Sequence, residues 1–173
     1  MELDALKRKI REIPDFPRPG ILFRDITPLL ADGEAFRAVI DRVAARYADQ
    51  RIEAVVGVEA RGFILGSALA YRLGAGTIPI RKRGKLPYKT FQCTYALEYG
   101  TDTLEIHQDA IRPGQRVLVF DDLLATGGTM TAAAELVGKL GGQIVELGFL
   151  IELMALKGRE VLKEHPVFSL IQF

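Results

Sequence analysis

Apolar residues recur at helical spacing in the first quarter of the chain. Leu3, Leu6 and Ile10 fall on one face of a short helix. The following stretch 14–20 holds three prolines and a glycine, so it predicts a rigid, non-helical arm. A second repeat predicts an amphipathic helix over residues 33–48, with apolar positions at Phe36, Val39, Ile40, Val43 and Tyr47.

Beyond residue 50, short apolar runs alternate with helical repeats. Residues 54–58 and 117–120 are too continuously apolar for strands with one wet face, so they fit a parallel sheet that is covered on both sides. Further strands are predicted at 77–81, 144–151 and 167–173, and helices at 62–73, 129–140 and 157–163.

Two alternating segments, 95–99 and 103–107, flank Gly100-Thr101-Asp102 and predict a β-hairpin. Around it, the alternation of strands and helices predicts an α/β fold with a mainly parallel sheet and helices on both faces. Ligands bind such sheets at the carboxyl ends of the strands. Because no internal repeat or linker interrupts the pattern, we predict a single domain over residues 1–173.

Composition agrees with one domain. A chain of 173 residues that is 49% hydrophobic and 26% charged can bury a full core. Its net charge of +1 favours neither nucleic acid nor a membrane surface as a partner. No apolar stretch approaches the roughly 18 residues of a membrane span. The acidic N-terminus, residues 1–4, lacks the apolar core of a signal peptide.

Cysteine and histidine are scarce. Cys93 is the only cysteine, which excludes an internal disulfide, and two histidines leave too few ligands for a structural zinc site. A protein without disulfides fits a reducing compartment, so we expect the cytoplasm.

The segment 117–129 carries the strongest functional signal. Its apolar run ends in two adjacent carboxylates, Asp121 and Asp122, and a loop of small residues then leads into a predicted helix. Backbone N–H groups at a helix N-terminus form a cradle for a phosphate group, with glycines that allow close approach and threonine hydroxyls as further donors. The carboxylates could hold sugar hydroxyls or reach a divalent cation through water. The loop residues are Ala125, Thr126, Gly127, Gly128 and Thr129.

Two other interpretations of this segment are weaker. A P-loop requires a lysine after its glycines, and none occurs between Gln115 and Lys139. A plain strand-to-helix turn with a cap needs neither two acids nor two glycines. The phosphate cradle is therefore favoured.

A second loop follows the strand at 54–58 and reads Glu59-Ala60-Arg61-Gly62-Phe63. An arginine and the N–H groups of a tight turn suit a diphosphate. A single arginine more often forms a surface ion pair, but the presence of the first loop strengthens the anion-binding interpretation. A basic run at 81–87 suits a mobile loop that closes over a polyanion, although by itself it would be a solvated charged segment.

These segments resemble the type I phosphoribosyltransferases. The segment 121–129 has two acids, two apolar residues and then Ala-Thr-Gly-Gly-Thr. This order is similar to that family's motif for phosphoribosyl pyrophosphate (PRPP). The loop at 59–63 looks like its pyrophosphate loop, which often holds a non-proline cis peptide. Segments that occur in the order of the adenine phosphoribosyltransferases are 23–28, 59–63, 81–87, 97–100 and 156–159. The resemblance covers residues 6–173, and only the loop crown at 88–94 follows no family pattern.

The resemblance implies a fold and a reaction. The fold is a mainly parallel sheet flanked by helices, with an N-terminal hood over the base at residues 1–35 and a flexible catalytic loop and hairpin at 82–107. The reaction belongs to purine salvage. It transfers ribose 5-phosphate from PRPP to N9 of adenine with the help of Mg²⁺, and it gives AMP and pyrophosphate. A homodimer is implied as well.

Residue roles follow from the same resemblance. The 5-phosphate of PRPP and the phosphate of AMP would bind residues 125–129. The acid pair would hold the ribose hydroxyls and contact Mg²⁺ through water, and Tyr99 would shape the closed loop. Proposed catalytic residues are Glu98, Arg61, Asp121 and Asp122. Proposed pyrophosphate-binding residues are Glu59, Ala60, Arg61, Gly62, Arg81 and Lys85. Proposed adenine-binding residues are Leu22, Phe23, Arg24 and Leu153.

Alternatives stay open at several points. Glu98, proposed for proton transfer at adenine or at the leaving pyrophosphate, could be a solvated hairpin carboxylate. Phe23 and Leu153 could be plain core residues. The base could be another purine such as xanthine. A non-catalytic PRPP-binding regulator is the alternative from a different class. Such regulators usually add a DNA-binding domain or a basic RNA surface, and the sequence indicates neither.

Overall fold

A seven-stranded sheet is the main element of this structure, a computed structural model that describes residues 1–96 and 100–173. The chain divides into two units, Met1–Ala45 and Arg46–Phe173, and the second contains the sheet. None of the described helices combines the length and hydropathy that a membrane crossing requires.

The first unit is built around a small antiparallel pair of strands. Asp25 ends the second strand, and its carboxylate accepts hydrogen bonds from the Thr27 N–H at 2.9 Å and the Thr27 hydroxyl at 2.8 Å, which fixes the start of the next helix. The Phe16–Pro17 peptide bond in the proline-rich arm is cis. The elements are α1 (Leu3–Lys7), β1 (Arg11–Ile13), β2 (Phe23–Asp25), α2 (Thr27–Ala31) and α3 (Gly33–Arg46), the last of which runs into the second unit.

The second unit alternates strands and helices. Its strands are β3 (Ala54–Val58), β4 (Gly76–Lys82), β5 (Thr90–Ala96), β6 (Thr101–His107), β7 (Arg116–Leu124), β8 (Gln143–Glu152) and β9 (Val167–Gln172). Its helices are α4 (Arg61–Leu73) and α5 (Gly128–Lys139), and two 3-10 turns follow β8 at Met154–Leu156 and Gly158–Glu160.

The strands lie in the order β5-β6-β4-β3-β7-β8-β9. Neighbouring strands from β4 to β9 in this order run parallel, and the hairpin of β5 and β6 adds an antiparallel edge beside β4. Every residue of β3 is buried, as its continuous apolar run predicts. The predicted α/β fold with a mainly parallel sheet and flanking helices is confirmed.

Two crossovers diverge from the neighbouring strands β3 and β7. The chain passes from β3 through α4 to β4 on one side, and from β7 through α5 to β8 on the other. Because parallel crossovers are right-handed, steps in opposite directions place the two helices on opposite faces of the sheet. Both helices therefore begin at the same crevice, which is where open α/β sheets bind ligands.

The predicted elements of the second unit differ most from the structure at three places. Strand β7 continues to Leu124, four residues beyond the prediction, because Asp121 and Leu123 still pair with β8 although the apolar run is interrupted. Strand β5 begins at Thr90, earlier than predicted. The predicted helix at 157–163 is wrong, since Lys157 has a positive φ of 53° that separates the two 3-10 turns.

Candidate active site

A cavity of about 500 Å³ lies where β3 and β7 end. It brings together two segments that are more than 60 residues apart in sequence, the loop after β3 and the loop after β7. Its lining includes Glu59, Ala60, Arg61 and all of residues 121–130. The two loops that the sequence singled out therefore share one site.

The loop after β7 lines this cavity along its whole length, residues 125–129. Gly127 caps α5 with a φ of 90°, a left-handed conformation that glycine adopts without strain. No described side chain caps the helix there, so the N–H groups of its first turn remain for a ligand. The dipole of the 12-residue helix adds partial positive charge at this end. An anion is the natural occupant.

The acid pair occupies the last part of β7. The carboxylate of Asp122 is buried and forms an ion pair with the guanidinium of Arg61, the first residue of α4. The N–H of Asp122 donates to Asp121 Oδ1 at 2.8 Å. Burial raises the pKa of Asp121 well above its ordinary value, and the negative charge of Asp122 raises it further. One carboxylate is thus paired with a cation, whereas the other takes up a proton more readily.

Glu59 ties the second loop to β4. The Glu59–Ala60 peptide bond is cis, as the resemblance implied. The Glu59 carboxylate accepts the backbone N–H of Lys82 at 2.9 Å and lies 3.4 Å from Arg81 Nε. Its own N–H donates to the carbonyl of Ile80 at 3.0 Å. These contacts fix the turn from which Arg61 reaches into the cavity.

The basic run is divided between two locations. Lys82 lines the cavity, and its ammonium lies 3.1 Å from the carboxylate of Asp102, a hydrogen bond that raises the lysine pKa. Arg81 and Lys85 are not among the residues that line the cavity. Instead, the Arg81 guanidinium donates to the carbonyl of Lys85 at 3.1 Å and closes the turn between them.

Comparison with known proteins identifies the family. The family model of the phosphoribosyl transferase domain matches residues 29–172. The adenine phosphoribosyltransferase of Chloroflexus aurantiacus is 64% identical over 173 residues, which is the full length of both chains. This chain belongs to the adenine phosphoribosyltransferase family.

Solved structures of the family share the fold closely. Adenine phosphoribosyltransferase from Thermoanaerobacter pseudethanolicus has a TM-score of 0.97 and 52% identity, and the match covers 99% of this chain and 100% of that one. The Saccharomyces cerevisiae enzyme, solved as a complex with an imino-altritol bisphosphate and adenine, has a TM-score of 0.92 and 42% identity over 97% of each chain.

The residues that the family resemblance assigns to adenine lie in both units. Leu22 is exposed, and the ring of Phe23 meets that of Phe16 edge-on with 5.1 Å between centroids. Arg24 forms an ion pair with Glu12. Leu153 follows β8, and its N–H donates to the carbonyl of Leu124 at 2.9 Å. Their roles stay predictions.

The predicted site and the residues that line the cavity differ at several positions. Glu98 and Tyr99, which the resemblance assigned to catalysis and loop gating, lie outside the described residues. The lining residues that were not assigned a site role include Lys82, Tyr95, Asp102 and Phe149. Lys82 could have been found from the sequence, because successive strand residues alternate between faces and Ile78 and Ile80 place its side of β4 on the core face.

Proposed function

We propose that this enzyme transfers ribose 5-phosphate from PRPP to N9 of adenine and releases pyrophosphate, the purine-salvage reaction after which its relatives are named. One observation carries the proposal for the site. A helix N-terminus suited to a phosphate, a carboxylate pair and an arginine loop meet in one cavity of about 500 Å³. These three features suit the phosphate, the ribose hydroxyls and the diphosphate of PRPP, respectively.

The phosphate loop positions the reacting carbon. The N–H groups of residues 125–129 and the hydroxyls of Thr126 and Thr129 would hold the 5-phosphate, far from the bond that breaks. Binding energy at this remote group fixes C1 of the ribose and lowers the entropic cost of the reaction. Asp121 and Asp122 would accept hydrogen bonds from the ribose hydroxyls.

Charge develops at both ends of the breaking bond between C1 and the pyrophosphate oxygen. The ribose becomes cationic, which nearby carboxylates stabilise, and the leaving group gains negative charge. Arg61 in the loop after β3 would stabilise the pyrophosphate, with Arg81 and Lys85 of the basic turn as further contacts. The backbone of residues 59–62 would complete this diphosphate site.

Magnesium fits the donor set of the site. Mg²⁺ prefers oxygen ligands and usually binds through a few carboxylates together with substrate phosphates. Within residues 1–96 and 100–173 no group of three or more acidic, histidine or cysteine side chains could hold a metal alone. We therefore propose that Mg²⁺ is bound with PRPP, with Asp121 and Asp122 as outer ligands through water. The ion would neutralise charge on the leaving pyrophosphate.

The base completes the reaction. Adenine N9 forms the bond to C1, and the proton on that nitrogen must leave; Glu98 is the proposed acceptor, with Tyr99 shaping the closed loop. Phe23 would stack on the base, the backbone of Leu22 and Arg24 would read its edge, and Leu153 would form the opposite wall. A backbone N–H and a carbonyl match the acceptor and the donor on the edge of adenine.

A homodimer and a cytoplasmic location are part of the proposal. Ile64 and Tyr71 lie seven residues apart on one face of α4 and are 48% and 90% exposed, which suits a contact with a second chain. Cys93, the sole cysteine, is buried, and a chain that can form no internal disulfide suits a reducing compartment. Light scattering should give twice the 19.1 kDa of one chain; a Tyr71→Glu variant that stays at the dimer mass would argue against this face.

The test of function is pyrophosphate release from PRPP and Mg²⁺ with adenine, guanine, hypoxanthine or xanthine in parallel. Release that requires adenine and is matched by AMP formation supports the proposal. Release with another base alone retains the reaction class and overturns adenine as the substrate. The folded double variant Asp121→Asn, Asp122→Asn is the negative control. Any pyrophosphate release that it shows would come from host enzymes that copurify.

A further inference from the structure

Gly158 and the phosphate loop approach each other too closely for any side chain to lie between them. A Cβ on Gly158 would lie 2.4 Å from the carbonyl oxygen of Ala125 and 2.7 Å from Leu124 Cδ1. Contacts of this length are far inside van der Waals distance, and the first is with backbone. The backbone at Gly158 therefore supports the loop at the point where it leaves β7.

The contact is reciprocal. A Cβ on Gly127 would lie 2.4 Å from Val161 Cγ2 and 2.8 Å from the carbonyl oxygen of Gly158. Two glycines, one in the phosphate loop and one in the second 3-10 turn, thus allow two backbone segments to pack directly on each other. The segment 158–161 forms a floor beneath residues 125–127.

Arg159 anchors this floor to the sheet. Its guanidinium makes a two-pronged ion pair with Glu152, with Nε–Oε1 and Nη2–Oε2 distances of 2.7 Å. It also donates to the carbonyl of Val167 at 2.8 Å and to the hydroxyl of Ser169 at 2.9 Å. Glu152 is buried at the end of β8, where it pairs with Leu124 of β7. Such a bidentate arrangement fixes direction as well as distance.

We propose that Gly158 and Arg159 are positioning residues for the 5-phosphate of the substrate. Neither lines the cavity, so both act through the loop. Arg159 holds the 3-10 turn against β8 and β9, and Gly158 sets the height of the Ala125–Gly127 backbone, whose N–H groups must converge on the phosphate oxygens. The inference rests on the proposed role of residues 125–129.

The primary test is Gly158→Ala, with steady-state kinetics and AMP binding by calorimetry. The added methyl displaces the loop, so we expect the KM for PRPP and the Kd for AMP to rise by about 10- to 100-fold, as displacements near 1 Å can do. The KM for adenine should stay near the wild-type value, because adenine carries no phosphate. Equal losses for adenine and PRPP, or no loss for either, would overturn the positioning role.

A second variant keeps the test decisive if Gly158→Ala does not fold. Arg159→Lys retains the positive charge. A lysine cannot make the bidentate ion pair with Glu152 and at the same time donate to Val167 and Ser169. It should raise the KM for PRPP in the same direction and by less. An unchanged KM for PRPP in Arg159→Lys would overturn the role of Arg159.

Two controls separate this inference from the proposed function. Gly138→Ala in α5 adds a Cβ that meets no atom within 4 Å, so it should behave as wild type. Thr126→Val removes a hydroxyl of the phosphate loop itself. If Thr126→Val weakens AMP binding and Gly158→Ala does not, only the positioning role fails. If none of these variants changes AMP binding, residues 125–129 are not the 5-phosphate site.

Discussion

Arg61 and Asp122 form an ion pair that joins the first turn of α4 to the end of β7. The proposed function assigns this arginine to the diphosphate of PRPP and this carboxylate to its ribose. In the structure, each group neutralises the charge of the other. If the proposal is right, a bound diphosphate would compete with Asp122 for the same guanidinium, and the two subsites would be electrostatically coupled.

Replacing Arg61 should separate ligands by their diphosphate. Arg61→Ala should weaken PRPP and pyrophosphate binding by roughly 1.5–3 kcal/mol, the usual contribution of a hydrogen bond to a charged group. AMP, which lacks the diphosphate, should bind almost normally. Isothermal calorimetry with the three ligands measures this, and Arg61→Lys is the control that keeps the charge. Equal losses for all three would indicate that Arg61 has a structural role.

Replacing both acids should stop turnover without unfolding the protein. Asp121→Asn with Asp122→Asn removes the negative charge that faces the cationic ribose, so kcat should fall by about 10²-fold or more. The protein should still fold, because both residues lie at the cavity end of β7 and Asn keeps their size, but loss of the Asp122–Arg61 ion pair should lower the melting temperature. We further expect Asp122→Asn alone to tighten pyrophosphate binding, since Arg61 loses its competing partner. A normal kcat in the folded double variant would refute the assigned role.

The raised pKa of Asp121 should appear in the pH profile of catalysis. Burial first, and then the charge of Asp122, make protonation easier than for an ordinary aspartate. The carboxylate must be ionised to stabilise the ribose cation, so kcat/KM should decline as pH falls through this raised pKa, at a higher pH than an exposed aspartate would give. The Asp121→Asn variant should lack that acidic limb. A limb that persists in the variant must belong to another group.

Lys82 and Lys85 offer a direct comparison between the cavity and the basic turn. The sequence favoured Lys85, whereas the structure places Lys82 in the cavity beside Asp102. We expect Lys82→Ala to raise the KM for PRPP by roughly tenfold, equivalent to the loss of one charged hydrogen bond. Lys85→Ala, at a residue proposed only as a further pyrophosphate contact, is measured in parallel and should raise this KM by less, because Lys85 does not line the cavity. A larger effect at Lys85 would instead support closure of the basic turn over the substrate.

Glu146 should make the fold sensitive to acid. Burial alone would raise its pKa, but hydrogen bonds from the Arg46 guanidinium at 2.7 and 2.8 Å and from the Tyr47 hydroxyl at 2.7 Å outweigh this and lower it. A lowered pKa gives stability that is present above the unfolded-state value of about 4.3 and is lost as pH falls through the folded-state value.

Urea unfolding between pH 7 and pH 3 measures that contribution. Glu146→Gln should lose about 1–3 kcal/mol at neutral pH, because a buried hydrogen-bonded charge is removed. Its free energy of unfolding should also depend less on pH in the acidic range. Glu164→Gln, at an exposed position, is the matched control and should follow the wild type. Parallel acid profiles for Glu146→Gln and the wild type would contradict the prediction.

Continuous apolar runs made most of the second unit predictable. Residues 54–58 and 117–120 could only be buried strands, and the polar loops that follow them had to meet at the carboxyl edge of the sheet. The cavity confirms that meeting. By contrast, β1 and β2 have three residues each, too few to show an alternating pattern, and neither strand was predicted.

The position of individual side chains was harder to predict. Four cations occur in residues 81–85, and only the register of β4 decides that Lys82 faces the cavity while Arg81 closes the turn. The close contact of Gly158 with Ala125 depends on the packing of segments 33 residues apart in sequence, and no local pattern encodes it. From the sequence, the glycine at 158 does not reveal which segment packs against it.

The crossovers from β3 to β4 and from β7 to β8 run in opposite directions, so a substrate bound between their helix starts would hold the two helices together. Helices α4 and α5 begin at one crevice, and each packs on the strands of the same sheet. A molecule with a phosphate at one end and a diphosphate at the other would act there as a removable crosslink between them. Local opening of either helix start then requires that molecule to leave. Substitutions elsewhere in α4 or α5 that loosen its first turn would thus shorten the residence time of the ligand, although they change no residue that contacts it.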